Sequence, residues 1–180
     1  VFDQDGPGEV FSLREGDRVL SACAALERVL IHPGGRTRVG FIGSVSTHPD
    51  ARGRGLATQL LCDAEGVLRE RGCEHSLLWA DEPDFYARRG YALEGEETDF
   101  LLNEVCTDLI CGEKSIRPMR QGDEERIHEL YTQHSARVER STEETKRLLA
   151  CPEMRVLRAT HGGEVLSYVC FGRGADLGGV

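Results

Sequence analysis

The 180-residue chain contains no CxxC pair, no Gly-Lys-Ser or Gly-Lys-Thr, and no apolar run near membrane-spanning length. Each absence removes a class of function. Without cysteine pairs at ligand spacing there is no zinc finger or ribbon. The seven cysteines, at 23, 62, 73, 106, 111, 151 and 170, are odd in number and too scattered for a disulfide framework. Reduced thiols in a cytoplasmic protein are expected, most of them packed as small apolar residues. Without a Gly-Lys-Ser/Thr element there is no nucleoside-triphosphate P-loop. Without an apolar run of eighteen or more residues, or a signal-peptide pattern at the start, no membrane partner is expected. Positive charge is also in short supply. Lys and Arg number 22 against 31 Asp and Glu, a formal net charge of -9. That balance argues against a nucleic-acid partner, which requires a basic surface. It would suit a cationic small molecule, although solubility accounts for such a balance in most acidic proteins. His128, His134 and His161 fall on a helix, its end and a turn, so no metal site is expected.

What is present divides into strands and helices by period. EVFSLREGDRVLSACAALERVLI (9–31) reads as two strands around a Glu15-Gly16-Asp17 turn, and Pro33-Gly34-Gly35 makes the next turn. RVGFIGSVSTHP (38–49) reads as a third strand, with Val39, Phe41, Gly43 and Val45 on one face and both faces buried. From Gly55 the period becomes helical through Leu56, Leu60, Leu61, Ala64, Val67 and Leu68, ending at Arg71-Gly72. HSLLWA (75–80) is a short apolar strand, which makes Trp79 a core residue. A helical turn spans Pro83 to Arg89, and residues 91–102 return to extended chain. The order β-β-β-α-β-α-β predicts a mixed α/β domain.

After Ser115 a new unit begins: a strand at IRPMR, a helix after Gly122-Asp123, and a second helix opened by the capping box STEE (141–144). Two strands around His161-Gly162-Gly163 follow. RVLSACAA (18–25) and EVLSYVCF (164–171) share Val-Leu-Ser and an apolar stretch with cysteine, each after a strand and a glycine turn. This predicts an internal repeat. The chain starts at Val1 and ends in GADLGGV just after a strand, so the repeat favours a fragment made of the back of one domain and the front of another.

The most informative stretch is ARGRGLATQL (51–60), where a strand passes through two glycines and two arginines into a helix. The unpaired N–H groups and dipole of a helix N-terminus form an anion site. Gly53 and Gly55 let the backbone approach a ligand, and Arg52 and Arg54 add positive charge. Phosphate is the natural guest. A dinucleotide-binding G-x-G-x-x-G is excluded because position 58 is Thr58.

The remaining pattern, R-x-x-G-x-A at Arg52-Gly53-Arg54-Gly55-Leu56-Ala57, resembles the coenzyme A pyrophosphate loop of the GCN5-related N-acetyltransferases (GNAT). DFYARRGYALEGEE (84–97) resembles the F-Y-x-x-x-G-[FY] segment near the end of that fold. Residues 9–105 carry the resemblance, without the first strand and two helices, and 114–180 resemble the opening of a second copy. The resemblance is to the tandem-GNAT bacterial type. It implies an acetyl-CoA-binding domain over 1–112, lacking its first strand and helices, and the N-terminal part of a second GNAT-like domain over 113–180. The implied fold is a mixed twisted central sheet flanked by helices.

The resemblance also implies the chemistry. Acetyl-CoA, as cosubstrate, would lie beside the 38–49 strand with its pyrophosphate on Arg52, Gly53, Arg54, Gly55, Leu56 and Ala57. Backbone groups of Val45, Ser46 and Thr47 would hold the pantetheine and polarise the thioester. The acetyl group would pass to a primary amine, of a small molecule or a peptide, by direct attack. Tyr86 would act as general acid to the departing thiolate, since a phenol of pKa about 10 is protonated at neutral pH. Candidate bases are Asp81, Glu82, Asp84 and His48, although caps and solvated charges account for each of them better. Glu94, Glu96, Glu97 and Asp99 read as a solvated strand face. The alternatives are a non-catalytic acetyl-CoA-binding sensor or scaffold, and a chain that self-associates through an open sheet edge into a homo-oligomer.

Overall fold

The computed structural model describes residues 8–95, 115–152 and 154–171. They belong to two compact units, 1–95 and 96–180. The expected boundary at 112/113 lies outside the described residues. Both units are α/β, as expected, and none of the described helices is long and apolar enough to cross a membrane.

In the first unit, β1 (Gly8–Glu15) and β2 (Arg18–His32) form an antiparallel hairpin. Its turn is Gly16-Asp17, with Gly16 at φ 56°, the left-handed conformation that matches the strand twist. β3 (Gly35–Thr47) runs antiparallel to β2, and β4 (His75–Leu77) runs parallel to β3, so the strand order is β1-β2-β3-β4 and the sheet is mixed. Between β3 and β4 lie a 3-10 turn (Pro49–Ala51) and α1 (Leu56–Glu70). The short α2 (Pro83–Ala87) follows β4.

Helix α1 turns Leu60, Leu61, Ala64 and Leu68 onto Cys23, Ala25 and Ile42 of the sheet. Each of the leucine and isoleucine side chains among them contributes on the order of 1.5–3 kcal/mol if fully withdrawn from water. The helix lies close because β3 has a glycine beneath it: a Cβ on Gly40 would overlap the Leu68 side chain. Gly72, at φ 81°, closes the C-terminus by donating its N–H to the Arg69 carbonyl at 2.9 Å.

Three local expectations are corrected. β4 pairs over three residues only and not to residue 80. Residues 91–95 adopt no regular strand, and the remainder of 91–102 lies outside the described residues. The third strand is not buried along its whole length: Val39, Gly40 and Ile42 are buried, whereas Gly43, Ser44 and Ser46 are exposed.

In the second unit, β5 (Ser115–Pro118), β7 (Arg155–His161) and β8 (Glu164–Phe171) form an antiparallel sheet in the order β5-β7-β8. Between β5 and β7 come α3 (Glu124–Thr132), the two-residue β6 (Arg137–Val138) and α4 (Thr142–Leu149). The expected capping box is present. The Glu144 N–H donates to Ser141 Oγ at 3.1 Å, and the Ser141 N–H donates to Glu144 Oε2 at 2.8 Å. Ile127, Leu149 and Val156 form the core, with Met119 and Tyr168 packed against it.

The two hairpins that carry Val-Leu-Ser also share backbone geometry. Both hairpins, β1–β2 and β7–β8, close through two-residue glycine turns, and both carry an extra residue at the Leu of Val-Leu-Ser. Leu13 pairs with Ser21 and Arg14 with Val19, leaving Leu20 unpaired. Ala159 pairs with Ser167 and Thr160 with Val165, leaving Leu166 unpaired.

Candidate active site

The first unit contains a cleft of about 880 Å³, and the cause of the cleft is the sheet itself. β3 and β4 are hydrogen-bonded from Val39–His75 to Phe41–Leu77 and then diverge. Beyond that point one wall is the rest of β3, Ile42 to Thr47, and the other is Leu78 to Glu82 followed by Phe85 and Tyr86. The floor is the loop and first turn that enter α1. The cleft thus opens at the carboxyl ends of two parallel strands, where such sheets place ligands.

A bulge shapes the β3 wall. Ala24 pairs with Gly43 and Ala22 with Ser46, so the single residue Cys23 faces both Ser44 and Val45. Ser44 takes the extra position at φ 52°, an uncommon conformation for a residue with a side chain. The bulge re-phases the strand. Ile42 and Val45, three apart, both pack on the α1 side, whereas strict alternation would have grouped Val45 with Val39, Phe41 and Gly43. Downstream of the bulge, buried Ser21 fastens the strand. Its hydroxyl donates to the Ser46 carbonyl at 2.8 Å and lies 2.9 Å from Thr47 Oγ1. With the Ser21 proton committed to the carbonyl, the Thr47 hydroxyl is the donor in the second bond.

At the floor, Gly53 and Gly55 have φ 74° and 76°, and a Cβ on either would meet nothing within 4 Å. Gly55 is the N-cap of α1. No side chain caps the helix there, and its first turn holds no acidic residue. The leading N–H groups therefore face the cleft with their partial positive charge available. Arg52 lines the cleft, and its Nε donates to the Thr47 carbonyl at 3.4 Å.

Of the residues singled out from sequence, Val45, Ser46, Thr47, Arg52, Gly53, Gly55, Leu56, Ala57 and Tyr86 all line this one cleft. Arg54 does not; it is exposed outside the lining. Among the candidate bases, Asp81 and Glu82 line the cleft, whereas Asp84 and His48 do not. His48 instead caps the 3-10 turn by accepting from the Asp50 N–H, beside the Arg18–Asp50 ion pair at 2.7 Å.

Tyr86 packs edge-on against Phe85 and Tyr91, with centroids at 5.0 and 5.9 Å. Burial pushes its pKa above the ordinary phenol value, and the Glu82 and Asp81 carboxylates add to the rise. The phenol stays protonated throughout the physiological range. Tyr91 is held more firmly: its hydroxyl donates to Glu65 Oε1 at 3.0 Å, and burial followed by the Glu65 charge pushes its pKa well up.

Sequence reasoning missed three features. Trp79 is not core: it is 72% exposed, lines the cleft and stacks on Phe41. The Ser44 bulge had only one sequence signal, the Gly43 beside it. Ser21 had none, because a serine in an apolar strand does not reveal which carbonyl it meets. Among the described residues, no group of His, Cys, Asp and Glu is arranged to hold a metal.

With this geometry in view, comparison with known proteins is informative. A family model described as an acetyltransferase (GNAT) domain matches residues 4–93. A solved GCN5-related N-acetyltransferase from Kribbella flavida is 21% identical, over 92% of this chain and 43% of its own, with a TM-score of 0.67. A protein of unknown function from Enterococcus faecalis, described as a probable N-acyltransferase, is 17% identical, over 94% of this chain and 45% of its own, with a TM-score of 0.66. At these identities the likeness is one of fold, and the chain spans less than half the length of either protein. None of the curated proteins compared with the chain matches it.

Proposed function

The chain belongs to the GNAT acetyltransferase family, and from that premise we propose that it transfers the acetyl group of acetyl-CoA to a primary amine by direct attack. The observation that carries this reading is the cleft where β3 leaves β4, with an uncapped helix N-terminus at its floor and a protonated tyrosine on its wall.

The residues present fit the coenzyme. The open backbone at Gly53 and Gly55, the first N–H groups of α1 and the Arg52 guanidinium suit a pyrophosphate. The β3 edge from Ile42 to Thr47, facing away from β2 and unpaired with β4, suits an extended amide-bearing arm. When bound, acetyl-CoA supplies an activated acyl carbon and a thiolate leaving group. The protein's part is to aim β3 backbone N–H groups at the oxygen where charge develops. Tyr86 holds a proton at its phenolic oxygen for the leaving sulfur. Because Tyr86 titrates above its ordinary value, its ionisation should not limit turnover between about pH 7 and 9.

The second unit we read as the opening of another GNAT-like domain, beginning near residue 113. Its β-α-α-β-β succession, with the minor β6 set aside, and the bulged hairpin it shares with the first unit support this.

Two measurements test the proposal. Calorimetric titration of acetyl-CoA should show saturable binding that Arg52→Ala weakens more than Arg54→Ala, since only Arg52 lines the cleft. Tyr86→Phe should lower turnover by on the order of 10²-fold or more while leaving coenzyme affinity near the parent value. Binding with no turnover toward any amine would favour a non-catalytic acetyl-CoA-binding module.

A further inference from the structure

The wall opposite β3 carries a group that the chemistry above does not use. Trp79 is the only tryptophan of the chain, and it is 72% exposed. Its indole stacks on Phe41 with 6.1 Å between ring centroids and 14° between planes. An indole braced on one side by a phenyl ring is held in place while most of its surface stays open to solvent, and it lines the cleft.

The two sides of the sheet differ at this point. Gly40 faces α1, as its clash with Leu68 shows, so its neighbour Phe41 and the indole stacked on it lie on the other side. Tyr86 packs with the α1-side core. A ligand reaching the helix N-terminus and Tyr86 therefore occupies one side, and Trp79 guards approach from the other. Among the described residues, the charged ones lining the cleft are Arg52 beside the helix floor, and Asp81 and Glu82 on the opposite wall, in the stretch that joins Trp79 to Tyr86. The floor suits phosphates and that wall suits cations.

A nucleophilic amine must be uncharged to attack, and carboxylates beside it would favour its protonated form. Carboxylates at the acceptor end are therefore better matched to a second cation than to the reacting nitrogen. Tryptophan provides the most favourable aromatic face for an ammonium or guanidinium group. We propose that Trp79, together with Asp81 and Glu82, forms the acceptor subsite, and that the acceptor is a primary amine bearing a second positive charge, which rests on the indole. This rests on the acetyl-transfer reading of the same cleft.

Because Trp79 is the only tryptophan, its emission reports on this position alone. The test titrates the full chain with 1,4-diaminobutane and, in parallel, with butylamine, following tryptophan emission. The diamine should give a saturable change with an apparent affinity about tenfold or more above that of the monoamine. An Asp81→Asn/Glu82→Gln variant should lose most of that preference while its calorimetric affinity for acetyl-CoA is retained. Equal affinities for the two amines would overturn the proposal, as would no saturable emission change in a chain that melts cooperatively. Failure of acetyl-CoA to bind would instead overturn the acetyl-transfer reading, and the emission titration would still report on the cation subsite.

Discussion

The two bulged hairpins are nearly the same object in different surroundings. Each turns through two residues containing glycine, and each leaves the Leu of Val-Leu-Ser unpaired. From the serine onward they diverge. In β2, Ser21 is 2% exposed, and Cys23, Ala24 and Ala25 are 1%, 2% and 5% exposed. In β8, Ser167 is exposed, and Val169 and Phe171, the counterparts of Cys23 and Ala25, are 54% and 45% exposed. The difference lies along the far edge. β2 has β3 beside it and α1 above, whereas β8 ends its sheet among the described residues. A hairpin of this kind is a local unit, closed by its turn and bulge. The candidate site arises only where β3, with its own bulge and the glycine loop that follows, is added to it.

The contrast can be broken most severely at the core that β3 and α1 create. Leu61 is fully buried against the first hairpin, so Leu61→Ala should cost about 3 kcal/mol through lost transfer energy and an unfilled cavity. Val169→Ala, on the exposed counterpart strand, should stay within about 0.5 kcal/mol. Denaturant titration of both variants decides the matter. A Val169→Ala cost near that of Leu61→Ala would mean that the second hairpin is covered as fully as the first.

The paired serines sharpen the comparison at a single hydroxyl. Ser21→Ala removes the donor to the Ser46 carbonyl and the partner of Thr47, two part-buried hydrogen bonds, at a cost of about 1 kcal/mol. It should also weaken acetyl-CoA binding, because Ser46 and Thr47 line the cleft. Ser167→Ala should leave both stability and coenzyme affinity within error. Equal effects from the two serines would remove the distinction between the hairpins.

How much of this was legible in the sequence depends on the range over which each feature is determined. The Ser141 capping box, the glycine end of α1, the two hairpin turns and the Arg52–Ala57 loop are set by residues adjacent in the chain, and all were readable. Trp79 was not. A short apolar run reads as a buried strand, but β4 pairs over only three residues before it diverges, and that depends on β3, more than thirty residues earlier. The re-phasing at Ser44 escaped for a related reason: alternation is the right default for a strand, and only the register against β2 reveals the extra residue.

The smallest expected effect concerns pH and again sets one unit against the other. Tyr91 in the first unit and Tyr168 in the second both have raised pKa values, chiefly from burial. The second-largest cause of the Tyr91 rise is the charge of Glu65, whose Oε1 accepts the tyrosine hydroxyl. A raised folded-state pKa means that the stabilising contribution is fully present below the unfolded value of about 10 and is lost as pH rises through the folded value. The unfolded chain ionises there while the folded chain resists. Tyr91→Phe removes that linkage, so its stability should decline less steeply than the parent's above about pH 10. The gain in the alkaline limb should be at most about 1 kcal/mol, because the half-buried ring is partly screened by solvent. Tyr168→Phe should flatten the limb less, since no carboxylate is among the causes of its rise. Denaturant midpoints at pH 8, 10 and 11 for the parent and both variants measure this. A Tyr91→Phe curve parallel to the parent's would mean that Glu65 does not hold the phenol proton in the folded chain.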